Sequence, residues 1–219
     1  MRLSLIEKRS TIKSYQLDLE VFYEDNYLAV VHKPAGMITS GNQFKTLANA
    51  LNYNLYPSEA PDRYTTPRPV HRLDRATSGL VVIAKTRKTG QLLGQMLEER
   101  KIEKTYMSVV LGFVEKPGKI NIPIDKKPAI THFQPISSKK QLYTLLKLSP
   151  LTGRTHQLRI HCAAHGFPIV GDQLYGRAGG PSKGLFLSAT ALKFKHPILN
   201  KPVEVSTDVP KKFKKLMKA

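Results

Sequence analysis

Residues 71–84, His71-Arg72-Leu73-Asp74-Arg75-Ala76-Thr77-Ser78-Gly79-Leu80-Val81-Val82-Ile83-Ala84, set one carboxylate between two arginines and then run into an unbroken apolar stretch. The stretch Leu80–Ala84 reads as a buried strand that anchors whatever precedes it. Arg72 and Arg75 flank Asp74. At an effective dielectric of about 20, a carboxylate about 4 Å from a guanidinium gains roughly 4 kcal/mol of gross attraction. Asp74 is therefore read as an ionised acid held among cations. In an extended chain Arg72 and Asp74 share a face, so both point into whatever the segment binds. An isolated Asp–Arg pair of this kind would be an ordinary surface salt bridge, and the wider context has to decide between the two readings.

That context is a basic chain of ordinary core content. Among 219 residues, 35 Lys and Arg against 16 Asp and Glu leave a net charge of +19 while only 23% of residues are charged, so the excess is cationic imbalance. A polyanionic partner is the economical explanation. Charge alone would also suit a ribosomal or membrane-surface protein, and the tail Lys211-Lys212-Phe213-Lys214-Lys215 reads as a solvated helix face. With 41% hydrophobic residues the chain can bury a core as one domain. The single Cys162 excludes an intramolecular disulfide. Met1 to Glu20 is polar and of mixed charge, unlike a signal peptide, and no apolar run reaches the roughly 18 residues of a membrane span. A cytoplasmic protein is expected.

No repeat or low-complexity segment occurs. Residues 1–20 read as a short N-terminal extension and 21–219 as a single domain. Strands are expected at 21–31, 80–85, 105–113, 141–148 and 185–195. Helices are expected at 45–54, at 88–99, where Leu92, Leu93, Met96 and Leu97 form one stripe, and at 155–165, with Thr155 as N-cap and Gly166 and Pro168 as the stop. The proline-rich stretches 57–70 and 117–128 read as loops. This is an α+β pattern and not a βαβ alternation.

Four segments, in order, resemble the motifs of the RluA family of pseudouridine synthases. They are Val21 to Gly36 with its Lys33-Pro34-Ala35-Gly36 turn; His71-Arg72-Leu73-Asp74 followed by Thr77-Ser78-Gly79-Leu80; Lys104-Thr105-Tyr106 to Gly112; and Gly153-Arg154-Thr155-His156-Gln157-Leu158-Arg159 to Gly171-Asp172 and Tyr175-Gly176. The resemblance implies a curved, mainly antiparallel mixed sheet with flanking helices and a central catalytic cleft. It also implies a reaction in which the uracil of a uridine is detached at N1, turned and rejoined to the ribose through C5, without redox change or energy input and hence without a cofactor. The target base must be flipped out of its stack at a cost of a few kcal/mol. Structured RNA, a transfer RNA or ribosomal RNA stem-loop, is the implied partner, with neither DNA nor membrane expected and the chain acting as a monomer.

Residue by residue, Asp74 matches the family's essential aspartate, acting as nucleophile or base. Tyr106 matches the aromatic residue that stacks on the flipped uracil, an interaction of roughly 1–3 kcal/mol. Arg159 matches the basic residue that pairs with Asp74, and on a helix it shares a face with Thr155 and Cys162 or Ala163. Arg72 matches the arginine that fills the space left by the flipped base. Leu187 matches an apolar residue packed on that base, followed here by Ser188 where the family commonly has histidine. Lys104, Arg154, His156 and Gln157 complete the substrate-binding set, the last two as donors that orient loop backbone or RNA. His156, His161 and His165 could suggest a metal, but His156 lies off the helical face shared by the other two and no third ligand converges, so none is expected.

Other enzyme classes are poorly supported. His71-Arg72-Leu73-Asp74 is superficially kinase-like, yet no glycine-rich phosphate loop, Asp-Phe-Gly, Gly-x-Ser-x-Gly or Gly-x-x-x-x-Gly-Lys motif occurs. The alternative from another class is a basic RNA-binding or assembly protein that keeps the fold without catalysis. The intact Asp74, Tyr106 and Arg159 argue against it.

Overall fold

The computed structural model describes residues 14–176 and 184–218. The apolar run that opens the sequence argument becomes β4 (Ser78–Thr86). It is paired antiparallel with β2 (Leu28–Lys33) and covered on both faces. Val81 and Ile83 pack with Ala29 and Val31 against Leu47 and Leu51 of helix α1 (Leu47–Asn54). Leu80, Val82 and Ala84 pack on the other face with Leu93 of helix α2 (Arg87–Glu98). A strand buried on both faces needs no polar alternation, which is why the run is continuous. Each such Leu, Ile or Val contributes about 1.5–3 kcal/mol on burial.

The remaining strands are β1 (Val21–Glu24), β3 (Arg63–Pro69), β5 (Glu103–Leu111), β6 (Gly118–Ile120), β7 (Thr131–Lys139), β8 (Tyr143–Pro150), β9 (Leu187–Lys195) and β10 (Pro202–Ser206), with helices α3 (Gln157–Ala164) and α4 (Lys211–Lys218). They form one sheet in the order β1-β2-β4-β9-β5-β8-β7-β6, with β3 on β4 and β10 on β9. All pairings are antiparallel except β4 with β9, which run parallel through Ser78↔Ser188 and Gly79↔Ala189 only. That short parallel junction joins two half-sheets. A second core, built from Leu146, Leu148, Leu158, Cys162, Ile169 and Phe186, fills the half containing α3 and α4.

The α+β class and every expected element are present, with corrections at several boundaries. The strand expected over 21–31 is broken at Asp25, whose Oδ1 accepts hydrogen bonds from the backbone of Tyr27 and Leu28 and so turns the chain. The proline-rich stretches expected as loops contain β3 and β6, and β7 and β10 also went unexpected. All carry or adjoin proline. In β7 Pro135 sits at a shift in register, where a ladder donor is not required. The basic tail forms α4 with Lys211, Lys214 and Lys215 exposed, as expected of a solvated face, and is anchored through its one apolar residue in that run. Phe213 is fully buried and stacks on Phe186 at 5.2 Å. Of the expected N-terminal extension, residues 1–13 lie outside the described residues. Residues 15–20 run along α1, Tyr15 donating to the Asn49 carbonyl and Leu19 to the Asn54 side chain. No helix among the described residues is long and apolar enough to cross a membrane.

Candidate active site

Asp74 sits at the end of an extended stretch just before β4, with Leu73 turned into the core and Arg72 and Asp74 lining a cleft of about 400 Å3. The loop is pinned from behind. Thr39 Oγ1 donates to the Leu73 carbonyl and accepts from its N–H, while Gly36 N–H donates to the Arg75 carbonyl. Below it lies Lys33, fully buried, whose ammonium donates to the carbonyls of Pro34 and Met37. Burial lowers the Lys33 pKa to about 8, opposed by the negative charge of Asp74. His71 Nε2 accepts from the Val82 N–H, and burial, with Lys104 nearby, holds this imidazole neutral with a pKa of about 3.

The basic side chains around Asp74 come from a distant part of the chain, not from its sequence neighbours. Arg159 Nη1 stands 3.8 Å from Oδ2 and His156 Nε2 stands 3.8 Å from Oδ1. Arg75 instead donates through Nε to the Gly36 carbonyl, so the expected clamp by the flanking arginines is replaced by one from α3. Arg159 was expected to pair with Asp74. Its tight bonds go to Asp172, from Nε to Oδ2 at 2.8 Å and from Nη2 to Oδ1 at 2.7 Å. Those bonds from Asp172 first, then Asp74, raise the Arg159 pKa further. Asp172 Oδ1 also accepts from the N–H groups of Leu174 and Tyr175. Burial opposes its charge, yet these bonds hold the Asp172 carboxyl below the usual range.

His156 reaches the cleft because its backbone is left-handed, with φ of 55°. It, and not Thr155, takes the N-cap position of α3, without a side-chain capping bond. The strained conformation turns the ring outward from the helix, where Nδ1 lies 3.0 Å from the Tyr175 hydroxyl. Tyr175 in turn lies under the Arg159 guanidinium at 5.2 Å. A closed ring of contacts thus runs from Asp74 through Arg159, Asp172, Tyr175 and His156 back to Asp74. Opposite, Tyr106 on β5 and Leu187 on β9 form the apolar wall. Burial, then Asp74, pushes the Tyr106 phenol up, so it stays protonated.

The family model described as RNA pseudouridylate synthase matches residues 27–164. The chain belongs to this family. It is 33% identical to a ribosomal large subunit pseudouridine synthase D of Xanthomonas campestris, over 98% of this chain and 73% of that one. It is 34% identical to a dual-specificity RNA pseudouridine synthase of Haemophilus influenzae, over 90% of this chain and 94% of that one. The structure of human RNA pseudouridylate synthase domain containing 1 superposes with a TM-score of 0.71 at 26% identity, covering 91% of this chain and 85% of that one.

Seen as a pseudouridine synthase, the molecule brings nearly all the expected site residues to one cleft: Arg72, Asp74, Lys104, Tyr106, Arg154, His156, Arg159 and Leu187 all line it. Gln157 is the exception in role. Its Nε2 donates to Ile130 O and Thr131 Oγ1, and its Oε1 accepts from Thr152 and Arg154. With its amide engaged, Gln157 orients loop backbone from within the lining of the same cleft. The three histidines of the third motif part company. His156 enters the cleft, His161 bonds Thr131 and the Ile122 carbonyl, and His165 packs on Phe133 and Phe167. Ser188, in place of histidine, donates to the Ser78 carbonyl and closes the parallel junction. Lys33, Asp172 and Tyr175 stood inside the matching motifs without being singled out.

Proposed function

We propose that Asp74 is the catalytic acid group of this synthase, acting on the ribose or base of a uridine flipped into the cleft. The observation that carries this is the unfilled carboxylate: Asp74 faces Arg159 and His156 at 3.8 Å, beyond hydrogen-bond length, and so retains lone pairs for the substrate. The cleft volume falls in the range of small-ligand pockets. In the reaction the C1′–N1 bond breaks, the uracil turns, and C1′–C5 forms; N1 gains a proton and the C5 proton leaves.

Tyr106 stacks on the uracil, whose face needs an aromatic partner and no charge, and Leu187 packs against its edge. Arg159 is held by Asp172 and presents its remaining nitrogen to Asp74. Arg72 is exposed at the mouth, placed to fill the gap in the RNA stack, while Lys104, Arg154 and His156 meet the backbone. Burial lowers the Lys104 pKa, and a phosphate brought beside it would favour its ammonium form again. The substrate is a stem-loop of transfer RNA or ribosomal RNA. The chain acts as a monomer with one catalytic domain, in the cytoplasm, without DNA as substrate.

The test is tritium release from transfer and ribosomal RNA labelled at uridine C5, comparing wild type with Asp74→Ala. Release by the wild type alone establishes the role of Asp74. Equal release by both removes it, and no release from either RNA pool with binding retained favours the non-catalytic reading.

A further inference from the structure

We propose that the outer face of β6, β7 and β8 is a second RNA-binding surface, which takes the strand of substrate RNA leaving the cleft past Arg154. The inference rests on the RNA-substrate reading of the cleft and extends its footprint to a face that no catalytic residue occupies.

Strand register defines the surface. Tyr106 lies opposite Leu148, and Leu148 opposite Phe133, so these three point to the core and cleft. The alternate residues His132, Gln134, Lys147 and Ser149 therefore face the other way. Cross-strand pairs bring Lys119 beside His132, His132 beside Ser149, and Gln134 beside Lys147. The five line an open groove of about 450 Å3 whose floor is completed by Pro117, Gly118 and the edge of Phe133, and among the described residues no carboxylate lines it. A run of cations and neutral donors spanning roughly 10 Å across three strands is complementary to a phosphate backbone and repels other basic surfaces.

The groove also adjoins the cleft. Ser149 lines the groove while its neighbour Pro150 lines the cleft, so only the end of β8 separates them. The chain at this corner is fastened: Arg154 Nε donates to the Pro128 carbonyl, and Ile130 N–H donates to Thr152 Oγ1. A strand passing Arg154 meets a rigid corner and then Lys119, His132 and Lys147. The net charge of +19 exceeds what the few cleft cations use, which leaves charge for such an extension.

The experiment measures affinity for bulk transfer RNA and for a short oligouridine that fills only the cleft, from about 50 to about 200 mM salt, in wild type and the double variant Lys119→Ala/Lys147→Ala. For transfer RNA, the slope of log affinity against log salt should shrink by about 1.5–2, and affinity should fall at least severalfold. Oligouridine binding should not change. The paired variant Lys119→Arg/Lys147→Arg should keep the wild-type slope. An unchanged slope with transfer RNA, as expected if a protein occupies the groove, or equal losses on both probes, would overturn the proposal. Tritium release by the wild type is scored separately. Its failure alongside a reduced slope strikes the catalytic reading and leaves the groove standing.

Discussion

Two aspartates share one arginine in this protein, and they are treated in opposite ways. Asp172 is 1% exposed in its side chain and takes four hydrogen bonds, two from the Arg159 guanidinium and two from backbone N–H groups. Asp74 is 22% exposed, faces Arg159 and His156 at 3.8 Å, and among the described residues its carboxylate receives no hydrogen bond. The saturated acid fixes the arginine, and the arginine then polarises the unsaturated one. In the proposed role of Asp74, the acid that acts on the substrate is left incomplete by its own protein, and the rigidity that it lacks is supplied one residue further away.

The largest effect expected of breaking this division is at Asp172. Asp172→Ala leaves a buried guanidinium without its partner, which should cost about 3–5 kcal/mol of stability in urea unfolding, besides lowering activity. Were stability unchanged, the contrast between the two acids would collapse. Asp74→Asn should do the reverse, lowering tritium release by at least about 10²–10⁴-fold with a midpoint of unfolding close to wild type.

Acid should separate the two regions as well. His71 takes up a proton near pH 6.5 when unfolded but only near 3 when folded. Below about pH 6.5 the unfolded state therefore binds more protons, and stability falls with pH, by about 2 kcal/mol at pH 5. The carboxyl of Asp172, held below its usual range, keeps its pair through that window. Hydrogen exchange at about pH 5 should accordingly loosen residues 71–82 before 170–176, and the opposite order would contradict the assignment. The smallest effect is at the hinge of the ring. Tyr175→Phe removes the partner of His156 Nδ1 and should lower tritium release about tenfold, about the worth of one hydrogen bond, without altering the unfolding midpoint.

How much of this was legible in the sequence differs between the two acids for the same reason. Asp74 announced itself locally, through its flanking arginines and the apolar run behind it. The strands around it were visible because β4 and β9 are apolar enough to be read directly. The roles of Asp172, Tyr175 and Lys33 depend on contacts across tens of residues, to Arg159, His156 and the loop at Arg75, which periodicity does not encode. The same blindness produced the misplaced clamp: Arg72 and Arg75 are neighbours of Asp74 in sequence, whereas the guanidinium that faces it, Arg159, arrives from α3. At the level of secondary structure the missed elements were edge or near-edge strands. Proline there marks a loop to a sequence reader, but β3, β7 and β10 place it where a ladder donor is dispensable.

The junction between β4 and β9 gives the molecule a waist. Gly79 crosses it so closely that a Cβ would stand 2.2 Å from the Ala189 carbonyl oxygen, and the β4–β9 ladder holds only two residue pairs among the described residues, with Leu192 and Phe194 packed on Leu80 and Val82 beside it. The acid at position 74 hangs from one side of this narrow place and the apolar wall at Leu187 from the other. The spacing of the two cleft walls therefore depends on a glycine, because a Cβ at position 79 would have to push β4 away from β9.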